Sequence, residues 1–300
     1  MEWIWAAIGS AIGFAAVTIL YKIILERYVP SAGTFIVVAA FLQLPGALVP
    51  LAFVAFPGYP IAVWALALGS GAAFGLSLTL MFSILRRQDV SIVTAIFQTT
   101  PVFVAIIAVF ALSERLSVWH WVAILVTVAG AVLISLRRSG VGGRPMLGAW
   151  FFFMLVSSAL SAAGLTLSKA ALDDGMSVWN LYVVRSGATV AVMLALSVRG
   201  HTLRELRILA RNTNGVALFV FTEGLLATGA MYLTTFALLG PVALASTVMA
   251  SRPMFVFLFG ILLSLGLLKV LSEPLDRASL VQRGLAIGMI IAGVSTITLL

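Results

Sequence analysis

The sequence predicts an all-α polytopic membrane protein whose ten transmembrane helices form two inverted five-helix repeats, and three observations lead there. Hydrophobic residues fill 62% of the 300 positions and charged residues 9%, with a mean hydropathy of +1.17, well beyond what soluble domains carry. Ten apolar runs of about 20 residues, the length that crosses a bilayer as a helix, take up nearly all of the chain. One pair of runs also occurs twice. Gln98-Thr99-Thr100-Pro101-Val102-Phe103-Val104, Leu112-Ser113-Glu114 and Ala129-Gly130 return as Ala250-Ser251-Arg252-Pro253-Met254-Phe255-Val256, Leu271-Ser272-Glu273 and Ala292-Gly293.

The chain opens on Met1-Glu2-Trp3-Ile4-Trp5, without the basic n-region or small-residue cleavage site of a signal peptide, so the first run is expected to stay as a membrane helix. The spans are expected at 2–24, 31–55, 61–84, 90–111, 117–136, 147–171, 177–198, 215–238, 242–268 and 279–299. They must be helices, because lipid offers no partner to open backbone groups and the runs lack the alternation of a barrel strand. The longest piece between spans, 199–214, contains Thr202-Leu203-Arg204-Glu205, a capping-box pattern, followed by Leu206 and Leu209 among arginines. It reads either as a short interfacial helix or as a solvated basic loop.

Basic residues divide unevenly between the two membrane faces. The loops after spans 1, 3, 5, 7 and 9 hold thirteen, Arg86, Arg87, Arg137 and Arg138 among them, whereas the loops after spans 2, 4, 6 and 8 contribute only Arg115. The positive-inside tendency makes the rich side cytoplasmic and places both termini outside, in a cell membrane such as a bacterial inner membrane. The same distribution accounts for the net charge of +8 without nucleic acid as a partner.

The ten spans divide into a first repeat, 1–140, and a second, 141–300, which together form one unit. Span 1 ends with Lys22 four residues before Glu26, and span 6 with Lys169 four before Asp173. Because five is odd, the halves lie in opposite orientations, a construction typical of secondary transporters with a site near the midplane between repeats. On these features the chain resembles the EamA family of the drug/metabolite transporter superfamily, over essentially its whole length. That resemblance implies a ten-helix carrier working by alternating access, commonly an exporter of small metabolites such as amino acids. Two departures concern the substrate more than the fold. The second copy has seven extra residues between its proline and its Leu-Ser-Glu, and Arg252 stands where the first copy has Thr100. Glu114 is followed by Arg115, but Glu273 by Pro274.

Polar groups inside the spans are the candidates for chemistry, since charge in hydrocarbon is costly and faces a cavity or a partner. Arg185, Glu223 and Arg252 fall in the middle third of spans 7, 8 and 9, and Glu223 and Arg252 should meet at nearly equal depth. The functional reading is a substrate site in which Arg185 and Arg252 attract a carboxylate or phosphate while Glu223 pairs with one of them or takes up a proton. The structural reading is an ion pair tying helices 8 and 9 together. Tyr182 shares the helical face of Arg185 and is the candidate cavity aromatic. Tyr232, nine residues past Glu223, falls on the opposite face of a regular helix and is set aside. Gln43, Gln98, Thr99 and Thr100 are the neutral polar groups the first half can offer.

Pro101 and Pro253 can kink spans 4 and 9 at matching places and so serve as hinges or as static bends. Lys22 and Lys169 end their helices, where anchoring or gating suits them better than substrate contact. The seven tryptophans lie near span starts as an interfacial belt, and glycines such as Gly71, Gly75, Gly284 and Gly288 suit close helix packing. No cysteine is present and histidines number two, so neither a disulfide nor a metal site is expected, and no cofactor. No enzyme motif occurs. The reading is therefore a transporter of a small organic metabolite, anionic or zwitterionic, with the lipid bilayer as its medium, a proton as candidate coupling ion, and a monomer or homodimer as its state. Proton-coupled efflux of cationic drugs is the alternative, and a lipid-handling or structural role a further one.

Overall fold

The computed structural model describes residues 2–29, 31–85, 90–135, 149–265 and 277–299, and all regular structure among them is helical. The first half comprises α1 (Glu2–Arg27), α2 (Ala32–Leu51), α3 (Ile61–Leu85), α4 (Val90–Phe97), α5 (Thr100–Ala111) and α6 (Val118–Ser135). The second comprises α7 (Ala149–Asp173), α8 (Val178–Ser197), α9 (Gly200–Leu209), α10 (Thr213–Phe219), a π-helical turn (Val220–Ala227), α11 (Thr228–Ala237), α12 (Val242–Met249), α13 (Arg252–Leu265) and α14 (Arg277–Leu299). Among the described residues nine segments are long and apolar enough to cross a membrane, and α6 is a shorter apolar helix. The loops that hold Arg86, Arg87, Arg137 and Arg138, and the Glu273-Pro274 turn, lie outside the described residues.

Local signals repeat between the halves. Ser31 caps α2 by accepting the Thr34 N–H at 3.2 Å, and Ser177 caps α8 by accepting that of Asn180 at 3.2 Å. Each hydroxyl satisfies a first-turn donor that the helix itself cannot. The spans bearing Pro101 and Pro253 are broken rather than merely kinked, and they break in the same way. Pro101 is the second residue of α5 and Pro253 the second of α13. Around the first break Thr99 N–H donates to Ile96 O and Val102 N–H to Thr99 O, both at 3.0 Å; around the second Ser251 N–H donates to Val248 O at 3.1 Å and Met254 N–H to Ser251 O at 3.0 Å. A proline ring cannot donate to the preceding turn, so tight three-residue bonds replace the regular ones there.

The 199–214 segment contains a helix, α9, in place of the solvated loop reading. Its capping box does not form, because the helix already begins at Gly200 and Thr202 lies inside it, donating to Ser197 O at 3.3 Å. Glu205 instead accepts the hydroxyls of Ser31 and Thr34, so α9 is tied to the start of α2.

The closest packing runs between the halves. Helix α3 lies against α7 and α8, α1 against α11 and α13, α2 against α8 and the π-turn, α5 against α7 and α12, and α6 against α14. Exchanging each span for its counterpart in the other half converts these pairs into one another or into themselves, the pattern expected of two related units facing each other. Small residues permit the approach. A Cβ on Gly75 would lie 2.7 Å from Thr189 O and one on Gly71 would meet the Arg185 carbonyl, so α3 rests on the backbone of α8. Thr189 returns a hydroxyl bond to Gly71 O at 3.0 Å.

Glu114 also acts across the halves. Ala108 O accepts from both Leu112 N–H, at 3.0 Å, and Glu114 N–H, at 3.1 Å, while Ser113 takes a left-handed φ of 56°, which ends α5 in a tight reversal. That turn aims the carboxylate at the start of α12, where Oε1 accepts Val242 N–H at 2.6 Å and Oε2 accepts Ala243 N–H at 3.3 Å. Pro241, in the capping position of α12, has no side-chain acceptor of its own. Glu114→Ala should therefore cost about 1–2 kcal/mol, as loss of an N-cap does, read as a lowered unfolding temperature in detergent, whereas Glu114→Asp should recover part of it.

Candidate functional site

Arg185 stands in α8 where Gly71 and Gly75 bring α3 closest. It is 1% exposed, and its Nε, Nη1 and Nη2 all lack a hydrogen-bonding partner among the described residues. Its guanidinium lies over the Phe74 ring at 4.8 Å, and the Tyr182 side chain lies beside it. A ring face supplies a weak electrostatic partner and leaves all five N–H donors free.

Glu223 is fully buried in the π-turn. Gln43 of α2 donates to its Oε2 at 3.2 Å, the Tyr21 hydroxyl of α1 is within donating reach of the carboxylate, and Oε1 has no settled partner. Arg252, at the start of α13, rests over the Phe14 ring at 4.8 Å, and its Nε is buried without a partner. No ion pair joins Glu223 to either arginine. The expected meeting of Glu223 and Arg252 is thus corrected: equal depth brings them into one neighbourhood, but Tyr21 stands beside both. The ion-pair reading of Glu223 falls with it.

Tyr232 joins the site, against the sequence expectation. On a regular α-helix nine residues turn through about two and a half turns and would carry it away from Glu223. The π-turn bonds over five residues instead of four and so changes the register of everything after it. The Thr228 hydroxyl reinforces that register by donating to Glu223 O at 3.0 Å. Tyr232 stacks on Tyr182 with centroids 4.1 Å apart and is flanked by Trp179 at 5.2 Å. Its hydroxyl donates to Gly46 O at 2.6 Å. That carbonyl needs an outside donor, because the residue four further on is Pro50, which has no N–H. Gly46 carries no side chain where one would strike Thr228 at 2.6 Å. Pro50 was the available signal: a proline inside a span leaves a carbonyl in hydrocarbon that some buried donor must meet.

The remaining candidates lie elsewhere. Gln98 is buried at the α4–α5 break, and the hydroxyls of Thr99 and Thr100 donate back to Ile96 O and Phe97 O, both at 2.6 Å, so they complete the break and do not face the charges. Pro101 and Pro253 sit at the two breaks. Lys169 pairs with Asp173 at 2.8 Å as its spacing suggested, while the side chain of Glu26, opposite Lys22, lies outside the described residues. Trp5, Trp119 and Trp179 are exposed at helix starts, and Trp179 also touches the tyrosine stack.

A polytopic bundle with matched broken helices and unpaired charge buried between its halves belongs to the class of membrane transporters for small molecules. Residues 1–136 match the family model of the EamA-like transporter family. That match, to a family that is part of the drug/metabolite transporter superfamily, covers the first half of the chain. A solved crystal structure of a protein aligns over 97% of this chain and 96% of its own, with a TM-score of 0.65 and 18% identity, a likeness of fold alone. No curated protein matches the sequence.

Replacing Tyr232 by Phe keeps the ring stack but strands Gly46 O. The expected loss is about 1–3 kcal/mol, the cost of a buried unsatisfied acceptor, measured as a fall in thermal unfolding temperature that Phe236→Leu, which breaks no hydrogen bond, does not share.

Proposed function

We propose that the protein moves a small anionic or zwitterionic organic metabolite across the cell membrane by alternating access, with Arg185 as the residue that binds its carboxylate or phosphate. The observation that carries this is the guanidinium itself: 1% exposed, with three nitrogens lacking partners. A buried charge left uncompensated costs several kcal/mol, and the Phe74 ring offsets only a small part of that. A planar oxyanion entering from either side of the membrane would fill the fork bidentately and remove the penalty. Tyr182 and Tyr232 give such a ligand a polarisable wall, and Gln43 and Glu223 a donor and an acceptor on the facing helix.

The buried guanidinium of Arg185 and the half-buried one of Arg252 against the one carboxylate of Glu223 make this region positive on balance. A cationic drug would enter against that field, so efflux of cations is the weaker reading. Breaks at Pro101 and Pro253, each with the same short hydrogen bonds, suit hinges about which the outer parts of spans 4 and 9 could tilt. The Lys169–Asp173 pair at 2.8 Å favours an anchoring role for that lysine. Both termini outside, and export of a compound such as an amino acid, complete the reading on the loop charges and the family resemblance.

The test is a thermal-stability screen of the purified protein against amino acids, organic acids, phosphate esters and cationic dyes. An oxyanion present at a hundred times its Kd should stabilise the fold by about 2.7 kcal/mol, and Arg185→Gln should remove that response together with flux in proteoliposomes. Stabilisation by cationic dyes alone, undiminished in Arg185→Gln, would sink the proposal.

A further inference from the structure

Helix α9 is held where two spans leave the membrane: α8 ends at Ser197, α9 runs from Gly200 to Leu209, and the next span begins at Thr213. Helical spacing divides its residues between two faces. Thr202, Glu205 and Leu209 turn toward the bundle. Thr202 is fully buried, and Leu209, 4% exposed, packs into the cluster of Phe35 and Phe219. The Glu205 carboxylate accepts the Ser31 and Thr34 hydroxyls at the start of α2. Leu203, Arg204 and Arg207 share the opposite face, which Arg211 extends in the turn that follows. All four are exposed, Leu203 by 55%.

This division separates charge as well as polarity. Glu205 is the one acid between residues 199 and 214, and its carboxylate is turned to α2 instead of to the arginines that flank it in sequence. Among the described residues none of Arg204, Arg207 and Arg211 forms an ion pair. The outer face of α9 is therefore cationic, with one exposed leucine set among the charges. A bilayer surface matches both features at once, since its headgroups carry negative charge and acyl chain lies just beneath them. Free phosphate would meet the arginines but leave the leucine in water.

We propose that the outer face of α9 is a docking surface for anionic phospholipids, with Arg204, Arg207 and Arg211 on the headgroup phosphates and Leu203 among the upper acyl carbons. The planar guanidinium takes a phosphate through two parallel N–H bonds, and its apolar stem lies along the leucine side of the interface. Because Glu205 fastens the inner face to the capped end of α2, bound lipid and the two hydroxyls grip the helix from opposite sides. The surface is separate from Arg185, and its occupancy is measured without a transported substrate.

The chain has no cysteine, so Ala210→Cys, at an exposed position beside the arginines, gives one labelling site. The full-length protein carrying an apolar fluorophore there is reconstituted in phosphatidylcholine with rising fractions of brominated phosphatidylglycerol or brominated phosphatidylcholine. Half-maximal quenching should come at an about fivefold lower fraction of the anionic lipid, the effect of about one arginine at a membrane surface. Replacing Arg204, Arg207 and Arg211 by Gln should abolish that preference, and about 1 M salt, which shortens the Debye length to about 3 Å, should do the same. Arg115→Gln, at the exposed turn between α5 and α6, should leave it intact. The proposal is overturned by equal quenching from the two lipids, or by a preference that survives the triple substitution. Should that variant not fold, a preference undiminished in high salt overturns it equally. Binding of polyglutamate or inorganic phosphate to the solubilised protein, with no lipid preference in bilayers, would assign the surface to a soluble anion and overturn it too.

Discussion

Hydrocarbon offers no hydrogen-bonding partner, so a chain that crosses it must settle every backbone N–H and C=O within itself. Most of what distinguishes this bundle follows from the places where the helices cannot do so unaided. Pro50 silences the donor that Gly46 O would have used, and the Tyr232 hydroxyl of another helix takes its place. The first donors of α12 lie beyond the reach of any local cap, and Glu114 crosses from the first half to accept them. The π-turn spends its bonds at a longer spacing, and Thr228 supplies one of the replacements. Each repair joins the two halves or stiffens the joint between them.

The repairs tie the two halves together. A five-helix unit buries its faces chiefly against the other unit, through α3 on α7 and α8 and α1 on α11 and α13. Where the two meet, Gly46, Gly71 and Gly75 let backbone approach closely, and Phe35 and Phe82 of the first half pack with Met193 and Phe219 of the second. The polar site is a consequence of the same seam. Arg185 of α8 and Glu223 of the π-turn project into a surface shared by both units and are buried there, with Arg252 of α13 half-buried, and the arginines lie over Phe74 and Phe14.

Much of this was legible in the residues. Apolar run lengths placed the spans, Ser31 and Ser177 marked equivalent helix starts, and the repeated proline stretch marked equivalent breaks. The three midplane charges stood out because nothing near them in sequence neutralises them. Depth along a span says how far a residue lies from either face, but the direction it points depends on an unbroken count of residues per turn. That count fails at Val220–Ala227, and Tyr232 was misplaced because of it. Tyr21 escaped notice for another reason: a tyrosine one place before Lys22 near the end of an apolar helix carries no local sign that a carboxylate waits across the seam. The role of Glu205 was likewise invisible, since its partners Ser31 and Thr34 are remote in sequence.

The π-turn has one further consequence. In the regular lattice of a helix it is a dislocation, a surplus of chain accommodated over a few residues, and dislocations travel by exchanging one bond at a time. Moving it along span 8 would turn Glu223 and the residues on either side in succession, with no moment at which the whole span gives up its internal hydrogen bonds.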